Sequence, residues 1–99
     1  MSVYWTERAL RDALAIYDYI AAQSPRYADA VYERILARPR QLSEHPESGS
    51  IVPEFNRGDL REVLVHSFRL IYRIAPSEIR VLTVIHGNRI LPADVSEDL

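Results

Sequence analysis

The residues best suited to chemistry in this chain are arginines, several of which lie in its second half. All 12 cationic residues are arginine, and the sequence contains neither lysine nor cysteine. A guanidinium group presents a planar fork that suits carboxylates and phosphates, but it does not release its proton to act as a base. The absence of cysteine excludes a disulfide framework, a thiolate metal site and a cysteine nucleophile. The sequence therefore favours the binding of anions.

The arginines of the second half alternate with apolar residues, which is typical of β-strands. Three strand candidates follow one another closely, at Leu60–Val65, Phe68–Ala75 and Ile79–His86. The gaps between them are hairpin-sized, and the first gap consists of His66 and Ser67. These segments are predicted to form an antiparallel meander.

Pairing Ile74 with Ile79 gives the meander two chemically different faces. One face is almost entirely apolar and consists of Phe68, Leu70, Tyr72, Ile74, Ile79, Val81, Thr83 and Ile85. The other face mixes aliphatic and charged residues and consists of Leu60, Glu62, Leu64, Arg69, Ile71, Arg73, Arg80, Leu82, Val84 and His86. Slipping the register by one residue would bury arginines under the helices, so the pattern itself fixes the register.

The mixed face places Arg73 opposite Arg80, a like-charge pair that is unfavourable without a nearby anion. In one interpretation Glu62 supplies that anion and the arginines extend into water. In the other, an apolar, carboxylate-bearing segment of another chain covers the face, or a phosphate does. We predict an open, partner-binding face with the contact residues Glu62, Leu64, Arg69, Ile71, Arg73, Arg80 and Leu82.

Apolar residues at three- and four-residue steps predict two helices before the meander. Thr6 is predicted to cap a helix over residues 8–22. Ser24 and Pro25 are predicted to begin a second helix, because serine caps helices and proline suits their first turn. Pro39 is expected to kink this helix or end it near residue 38.

The remaining segments complete a single α+β domain over residues 1–99. Ser2–Trp5 is predicted to be an N-terminal edge strand, and Ser43–Asp59 is predicted to be loop because proline and glycine punctuate it. The tail from Gly87 to Leu99 shows no clear periodicity. The predicted architecture is a helical hairpin packed on one face of an antiparallel β-meander.

The amino-acid composition argues against several classes of protein. Apolar residues make up 47% and charged residues 26% of the chain, and the formal net charge is −2. These values argue against disorder, and no apolar run is long enough to span a bilayer. The N-terminus lacks the pattern of a signal peptide. We expect a cytoplasmic protein without a metal or cofactor, without membrane contact and without sequence-specific nucleic-acid binding.

The order and spacing of several short motifs resemble the RelE/ParE toxin superfamily of bacterial type II toxin–antitoxin modules. The motifs are Trp5 with Arg8-Ala9, Asp18-Tyr19-Ile20, Ser24-Pro25, His45-Pro46, Leu60–Val63, Phe68–Arg73 and Val81–Arg89. The resemblance implies a helical hairpin on one face of the sheet. It also implies a cognate antitoxin, ParD-like or similar, that wraps the toxin in a hetero-oligomer and holds it inactive. The analysis of the sheet faces independently predicts that such a partner binds the mixed face.

The superfamily divides by target. RelE-like members cut messenger RNA on the ribosome, which requires a base, an acid and cations around the phosphate. Matching this branch would assign catalysis to Arg61, Arg69, His86 and Arg89, but no tyrosine lies beyond Tyr72 and no lysine is present.

ParE-like members inhibit DNA gyrase without a catalytic constellation, and the strand motifs resemble this branch more closely. We predict a ParE-like, non-enzymatic toxin. A RelE-like ribonuclease and a non-toxic partner-binding relative are the alternatives.

A local basic cluster surrounds the predicted helix kink and consists of Arg34, Arg38 and Arg40. Charged residues on one helix face usually point into solvent. We interpret the cluster as a solvated face, with a contact to gyrase or antitoxin as the alternative.

Overall fold

The chain folds into two helices and five strands in a computed structural model that describes residues 1–98, apart from the side chains of residues 96 and 97. The elements are β1 (Ser2–Trp5), α1 (Glu7–Ala21), α2 (Pro25–Leu42), β2 (Ser50–Ile51), β3 (Leu60–Val65), β4 (Phe68–Ile74) and β5 (Glu78–His86). Short 3₁₀ helices span Pro46–Ser48 and Ala93–Asp98. The predicted edge strand, helical hairpin and meander are confirmed.

The five strands form one mixed sheet in the order β1-β5-β4-β3-β2. β1 pairs in parallel with β5, and the other neighbours are antiparallel. β2 lies within the segment predicted to be loop, so that part of the prediction is wrong. Two residues are too few to show the alternation that identifies a strand.

Side-chain caps fix where both helices begin. The Thr6 Oγ1 atom accepts a hydrogen bond from the Ala9 N–H at 3.0 Å and donates one to the Leu82 carbonyl at 3.2 Å. The Ser24 Oγ atom accepts from the Tyr27 N–H at 3.3 Å, and Pro25 is the first residue of α2. Both predicted caps are confirmed, and Thr6 also ties α1 to the central part of β5.

The second helix does not end near residue 38. It continues through Pro39 to Leu42, and both of these side chains are buried. A proline inside a helix removes one backbone hydrogen bond. Burial of the last turn against the core offsets that loss, which sequence periodicity alone does not reveal.

The helical hairpin covers one face of the sheet, as predicted. The buried core between them consists of Ala9, Ala13, Val31, Ile35, Leu42, Val65, Leu70, Tyr72, Ile79, Val81 and Val84. A sheet that is apolar on one face must bury that face against another layer. The hairpin of α1 and α2 supplies this layer.

A β-bulge shifts the β4–β5 register partway along the strands. Ile74 pairs with Ile79 and Tyr72 with Val81 as predicted, but Leu70 then pairs with Val84 and Phe68 with His86. The predicted pairs of Leu70 with Thr83 and of Phe68 with Ile85 are therefore wrong, because Leu82 is the extra residue of the bulge.

The bulge changes which β5 residues face the helices. Val84 lies in the helix-side core, whereas Ile85 packs with the residues on the opposite face. The Thr83 Oγ1 atom donates a hydrogen bond to the Asp12 carboxylate of α1 at 2.5 Å. The bulge lies in the segment Val81–Ile85, where all residues but Thr83 are apolar, so the sequence gives no signal for this shift.

The sheet face opposite the helices, here called the outer face, is closed at its centre. A second buried cluster forms there from Val52, Leu60, Ile71, Leu82, Leu91 and Val95, with Phe55 and Ile85 packed against it. The chain's own loop after β2 and its tail supply this cover. The prediction of an open face is wrong for this region, because the covering segments lack the periodicity of a helix or strand.

Tyr72 ties the segment between α2 and β2 to the sheet from the helix side. Its hydroxyl donates to the Pro46 carbonyl at 2.6 Å and accepts from the Gly49 N–H at 3.1 Å. A Cβ atom at Gly49 would lie 2.5 Å from that hydroxyl oxygen and 2.8 Å from the Glu62 carbonyl oxygen. Gly49 is therefore required for space.

We expect Gly49→Ala to lower the free energy of unfolding by about 1–3 kcal/mol, the usual cost of forcing extra volume into a packed site. Urea denaturation measures this loss. Tyr72→Phe in the same chain should relieve only part of the clash, because the Glu62 carbonyl remains. Gly58→Ala is the matched control, since a Cβ atom there meets nothing within 4 Å. Equal stability of the two alanine variants would contradict the prediction.

Candidate functional site

The most highly connected polar group on the outer face is the Arg69 guanidinium of β4. Nε and Nη2 donate to the Glu62 carboxylate at 3.1 and 2.7 Å. Nη1 and Nη2 each donate to the Glu54 carboxylate at 2.9 Å, and Nη1 also donates to the Arg89 carbonyl at 3.0 Å. These bonds engage all five N–H donors that a guanidinium possesses. Arg69 is only 6% exposed.

The cluster of Glu54, Arg69 and Glu62 joins three parts of the chain. Glu54 belongs to the covering loop, Glu62 to β3 and Arg69 to β4. The Leu91 N–H donates to the Glu54 carboxylate at 2.9 Å, which attaches the tail as well. Two carboxylates surround one cation, so the ionised cluster has a net charge of −1. It holds the cover of the outer face in place.

Hydrogen bonds from Arg69 lower the pKa of Glu54 to about 2, although partial burial acts in the opposite direction. The hydrogen bonds to Glu54 and Glu62 raise the pKa of Arg69 above its already high usual value. Both groups are therefore ionised at neutral pH.

This pKa shift predicts acid sensitivity. The ordinary pKa of a glutamate here is 4.5, and the folded value for Glu54 is about 2. A lowered folded pKa stabilises the fold above the unfolded pKa, and this contribution is lost as the pH falls through the folded one. We expect the free energy of unfolding to decrease between about pH 5 and pH 2, measured by urea denaturation across that range. Glu54→Gln should lose less stability over the range, and parallel curves for the two proteins would contradict the assignment.

Arg61 does not join this cluster. It pairs with Tyr72 across β3 and β4, so it projects to the helix side of the sheet, opposite to Arg69. Its Nε atom donates to the Gly58 carbonyl at 2.9 Å, and its Nη1 atom donates to the Gly49 carbonyl at 3.1 Å. Arg61 therefore joins the loop before β3 to the segment before β2.

His86 and Arg89 do lie near each other, at the end of β5. Both line a groove of about 620 Å³ beside α1, together with Tyr19 and Phe68. The His86 ring packs edge-on against Phe68 with 5.7 Å between centroids, and its Nδ1 atom lies 2.6 Å from the Asn88 Oδ1 atom. Of the four residues predicted for a ribonuclease site, the fold thus gathers only these two side chains in one groove.

The predicted pairing of Arg73 with Arg80 is confirmed, but Glu62 does not balance it. Arg73 donates to Asp59 at 3.3 Å, and Arg80 donates to Glu78 at 3.2 Å. Burial alone would raise the pKa of Asp59, but hydrogen bonds from Arg57 and Arg73 lower it below its usual value. The Arg80 guanidinium also stacks on the Tyr4 ring at 4.4 Å from the centroid. Arg73 and Arg80 therefore pair with different carboxylates, and Arg73 shares Asp59 with Arg57.

An open apolar patch lies at the rim of the outer face. Leu64 is 66% exposed and Ile90 is 83% exposed, and both line a shallow groove above the Arg69 cluster. Ile71 and Leu82, also predicted to bind a partner, are fully buried under the cover. Ile90 was missed because it lies in the tail, where its apolar character follows no periodicity.

None of the helices in the described part of the chain is both long and apolar enough to cross a membrane. Within the same residues, no three or more histidine or acidic side chains group closely enough to hold a metal ion.

The fold and the outer face together define the class of protein. A helical hairpin on one face of a five-stranded mixed sheet is the arrangement of the RelE/ParE toxin superfamily, which confirms the resemblance seen in the sequence. The model of the ParE toxin family, the toxin of the type II toxin–antitoxin system parDE, matches residues 3–91. The chain belongs to this family.

Individual relatives carry names from both branches. Toxin RelE2 of Caulobacter vibrioides is 34% identical over 89 residues, which cover 89% of this chain and 97% of the relative. The solved chromosomal ParDE toxin–antitoxin system from P. aeruginosa is similar with a TM-score of 0.71 and 26% identity, over 87% of this chain and 95% of that one. The RelBE2 toxin–antitoxin complex from Mycobacterium tuberculosis is similar with a TM-score of 0.54 and 25% identity, over 86% and 95%.

Proposed function

We propose that this toxin acts by binding DNA gyrase rather than by cutting RNA, and that a cognate antitoxin holds it inactive. The observation that carries the proposal is the state of Arg69. Its donors are all engaged by Glu54, Glu62 and a backbone carbonyl, so it has none left for a phosphate. A cation that stabilises a cleavage transition state must point at the developing charge.

The electrostatics of the outer face support the same proposal. The Arg69 cluster carries an excess carboxylate, and a negative site repels a phosphate group. Arg61 was the other strand arginine predicted for a ribonuclease site. It donates hydrogen bonds to backbone carbonyls on the helix side of the sheet, opposite to Arg69. A non-catalytic toxin needs only a binding surface, and the exposed Leu64 and Ile90 offer one.

The antitoxin part of the proposal is supported by the relatives. Both solved structures described above are toxin–antitoxin systems. An exposed apolar patch beside charged groups is typical of a protein-binding surface. We therefore expect a complex between this chain and an antitoxin encoded beside it.

Induced expression in bacterial cells tests the proposal. Gyrase inhibition should give filamentous cells with a DNA-damage response while translation continues, and co-expression of the antitoxin should restore growth. The variant with His86→Ala and Arg89→Gln should remain toxic, because these side chains have no catalytic role in a toxin that acts by binding. Rapid arrest of translation with intact DNA would contradict the proposal, and so would unimpaired growth.

A ribonuclease is the second candidate, and one observation favours it. His86 and Arg89 share the groove beside α1, which places a titratable imidazole next to a cation. If RNA cleavage were the activity, the same double variant would lose toxicity and RNA cleavage together.

A further inference from the structure

A second surface carries arginines that take no part in the ion pairs of the sheet. Arg34 and Arg38 lie one helical turn apart on α2 and line a pocket of about 290 Å³ between that helix and the tip of the β3–β4 hairpin. Neither forms an ion pair among the described side chains, and Arg38 donates to the Gln41 amide oxygen at 3.2 Å. The pocket thus presents two cations that lack a counter-charge within this part of the chain.

The hairpin tip forms the opposite wall of this pocket. His66 has a φ angle of +55°, in the left-handed region that disfavours non-glycine residues. Its ring packs edge-on against Tyr27 of α2, with 5.9 Å between centroids. A positive φ is usual in the two-residue turn of a β-hairpin, so the turn accounts for this angle. The ring contact between His66 and Tyr27 places the hairpin tip against α2 and so forms the second wall of the pocket.

Leu64 connects this pocket to the outer face. It lines the pocket with Arg34 and Arg38, and it also lines the outer groove with Ile90. The pocket and the outer groove together form a track that runs from Arg34 and Arg38, past Leu64, to Ile90. The two ends of this track differ in charge, because the outer groove lies over the negative Arg69 cluster. A segment bound along the track would place an aliphatic side chain on Leu64 and its acidic group at the α2 end.

We propose that the antitoxin docks along this track, with a carboxylate between Arg34 and Arg38 and an aliphatic side chain on Leu64. The inference rests on the proposed function and names the contact surface. Charge complementarity selects the occupant, because unpaired guanidinium groups bind carboxylates strongly. A nucleic acid is disfavoured, since its backbone needs cations along the whole path and this track is negative at one end.

Binding of the purified toxin to the purified antitoxin encoded beside it, followed by isothermal titration calorimetry, tests the track. We expect the Arg34→Gln/Arg38→Gln variant to bind at least about tenfold more weakly, the size of effect typical of close interfacial charge pairs. Its affinity should also depend less on salt concentration. Leu64→Ser should weaken binding as well. The matched controls are Arg26→Gln/Arg40→Gln on the same helix and Leu14→Ser on α1, which should bind like the wild type.

The possible results separate the track from the proposed function. Wild-type affinity in both the arginine and the Leu64 variants would overturn the track while leaving the antitoxin complex intact. Failure of the wild-type toxin to bind the antitoxin would overturn both. A 20-nucleotide RNA that binds through Arg34 and Arg38, and is lost in the double variant, would overturn the assignment of a protein occupant.

Discussion

Replacing Arg69 by methionine is expected to lower the free energy of unfolding by about 3–5 kcal/mol, because it leaves Glu54 and Glu62 without their cation. The loss is a large share of the total stability of a domain of this size. The cluster also anchors the loop and the tail to the sheet, so the outer cover should loosen at the same time. Urea denaturation monitored by circular dichroism measures the change.

Two comparisons test the cause of this loss. Adding Glu54→Gln and Glu62→Gln to the Arg69→Met variant should recover most of the stability, because the unpaired charges are gone. Arg73→Met is the matched control and should cost less than about 1 kcal/mol, since its ion pair is partly exposed. Arg69→Met should also gain stability as the pH falls toward 4, because unpaired carboxylates bind protons more readily when folded. If Arg69→Met and Arg73→Met lowered the free energy of unfolding equally, the Arg69 cluster would not be the anchor of the outer cover.

The second large loss of stability is expected from substitutions in the tail. Leu91 and Val95 are nearly or fully buried on the outer face, where they cover Ile71 and Leu82. Leu91→Ser/Val95→Ser should lower the free energy of unfolding by about 3–5 kcal/mol, since each large apolar side chain removed from a core costs roughly 2 kcal/mol or more. Urea denaturation measures the loss, and amide hydrogen exchange in β4 and β5 should accelerate.

Ile90→Ser is the matched control for the tail. Ile90 lies beside Leu91 in the sequence but is 83% exposed. A surface substitution of this kind usually changes stability by less than about 0.5 kcal/mol. Equal effects of the Ile90 and Leu91/Val95 substitutions would show that the tail does not belong to the core.

The sequence was sufficient to predict both helices, four of the five strands and the packing of the helices on one face of the sheet. Capping by Thr6 and Ser24 has a local cause, because each side chain bonds to an N–H three residues later. The helical hairpin follows from the apolar periodicity between them. The β3–β4 register follows from the two-residue turn after Val65, which pairs with Phe68.

The cover of the outer face could not be predicted from periodicity. Leu91 and Val95 lie in irregular or 3₁₀ structure, where spacing does not encode a face. Glu54 likewise gives no local sign that it bonds to Arg69, which follows 15 residues later. A predicted arginine-rich surface therefore proved to contain a buried ion cluster, since long-range contacts decide where a charge is neutralised.

The proposed site keeps only part of the predicted partner-binding residues. Leu64 is the exposed member, while Ile71 and Leu82 belong to the second core. Arg69 is structural by its contacts, and its assignment to antitoxin binding stays a prediction. The geometry of the basic cluster on α2 depends on the β3–β4 hairpin tip, which lies beside Arg34 and Arg38 in the fold.

The most direct test of a binding rather than a cleaving toxin is a supercoiling assay with purified DNA gyrase and the purified wild-type chain. We expect relaxed plasmid to stay relaxed or to be trapped as cleaved DNA, and we expect added antitoxin to restore supercoiling. The same preparation should leave messenger RNA on purified ribosomes intact. Normal supercoiling together with cut messenger RNA would contradict the proposed function.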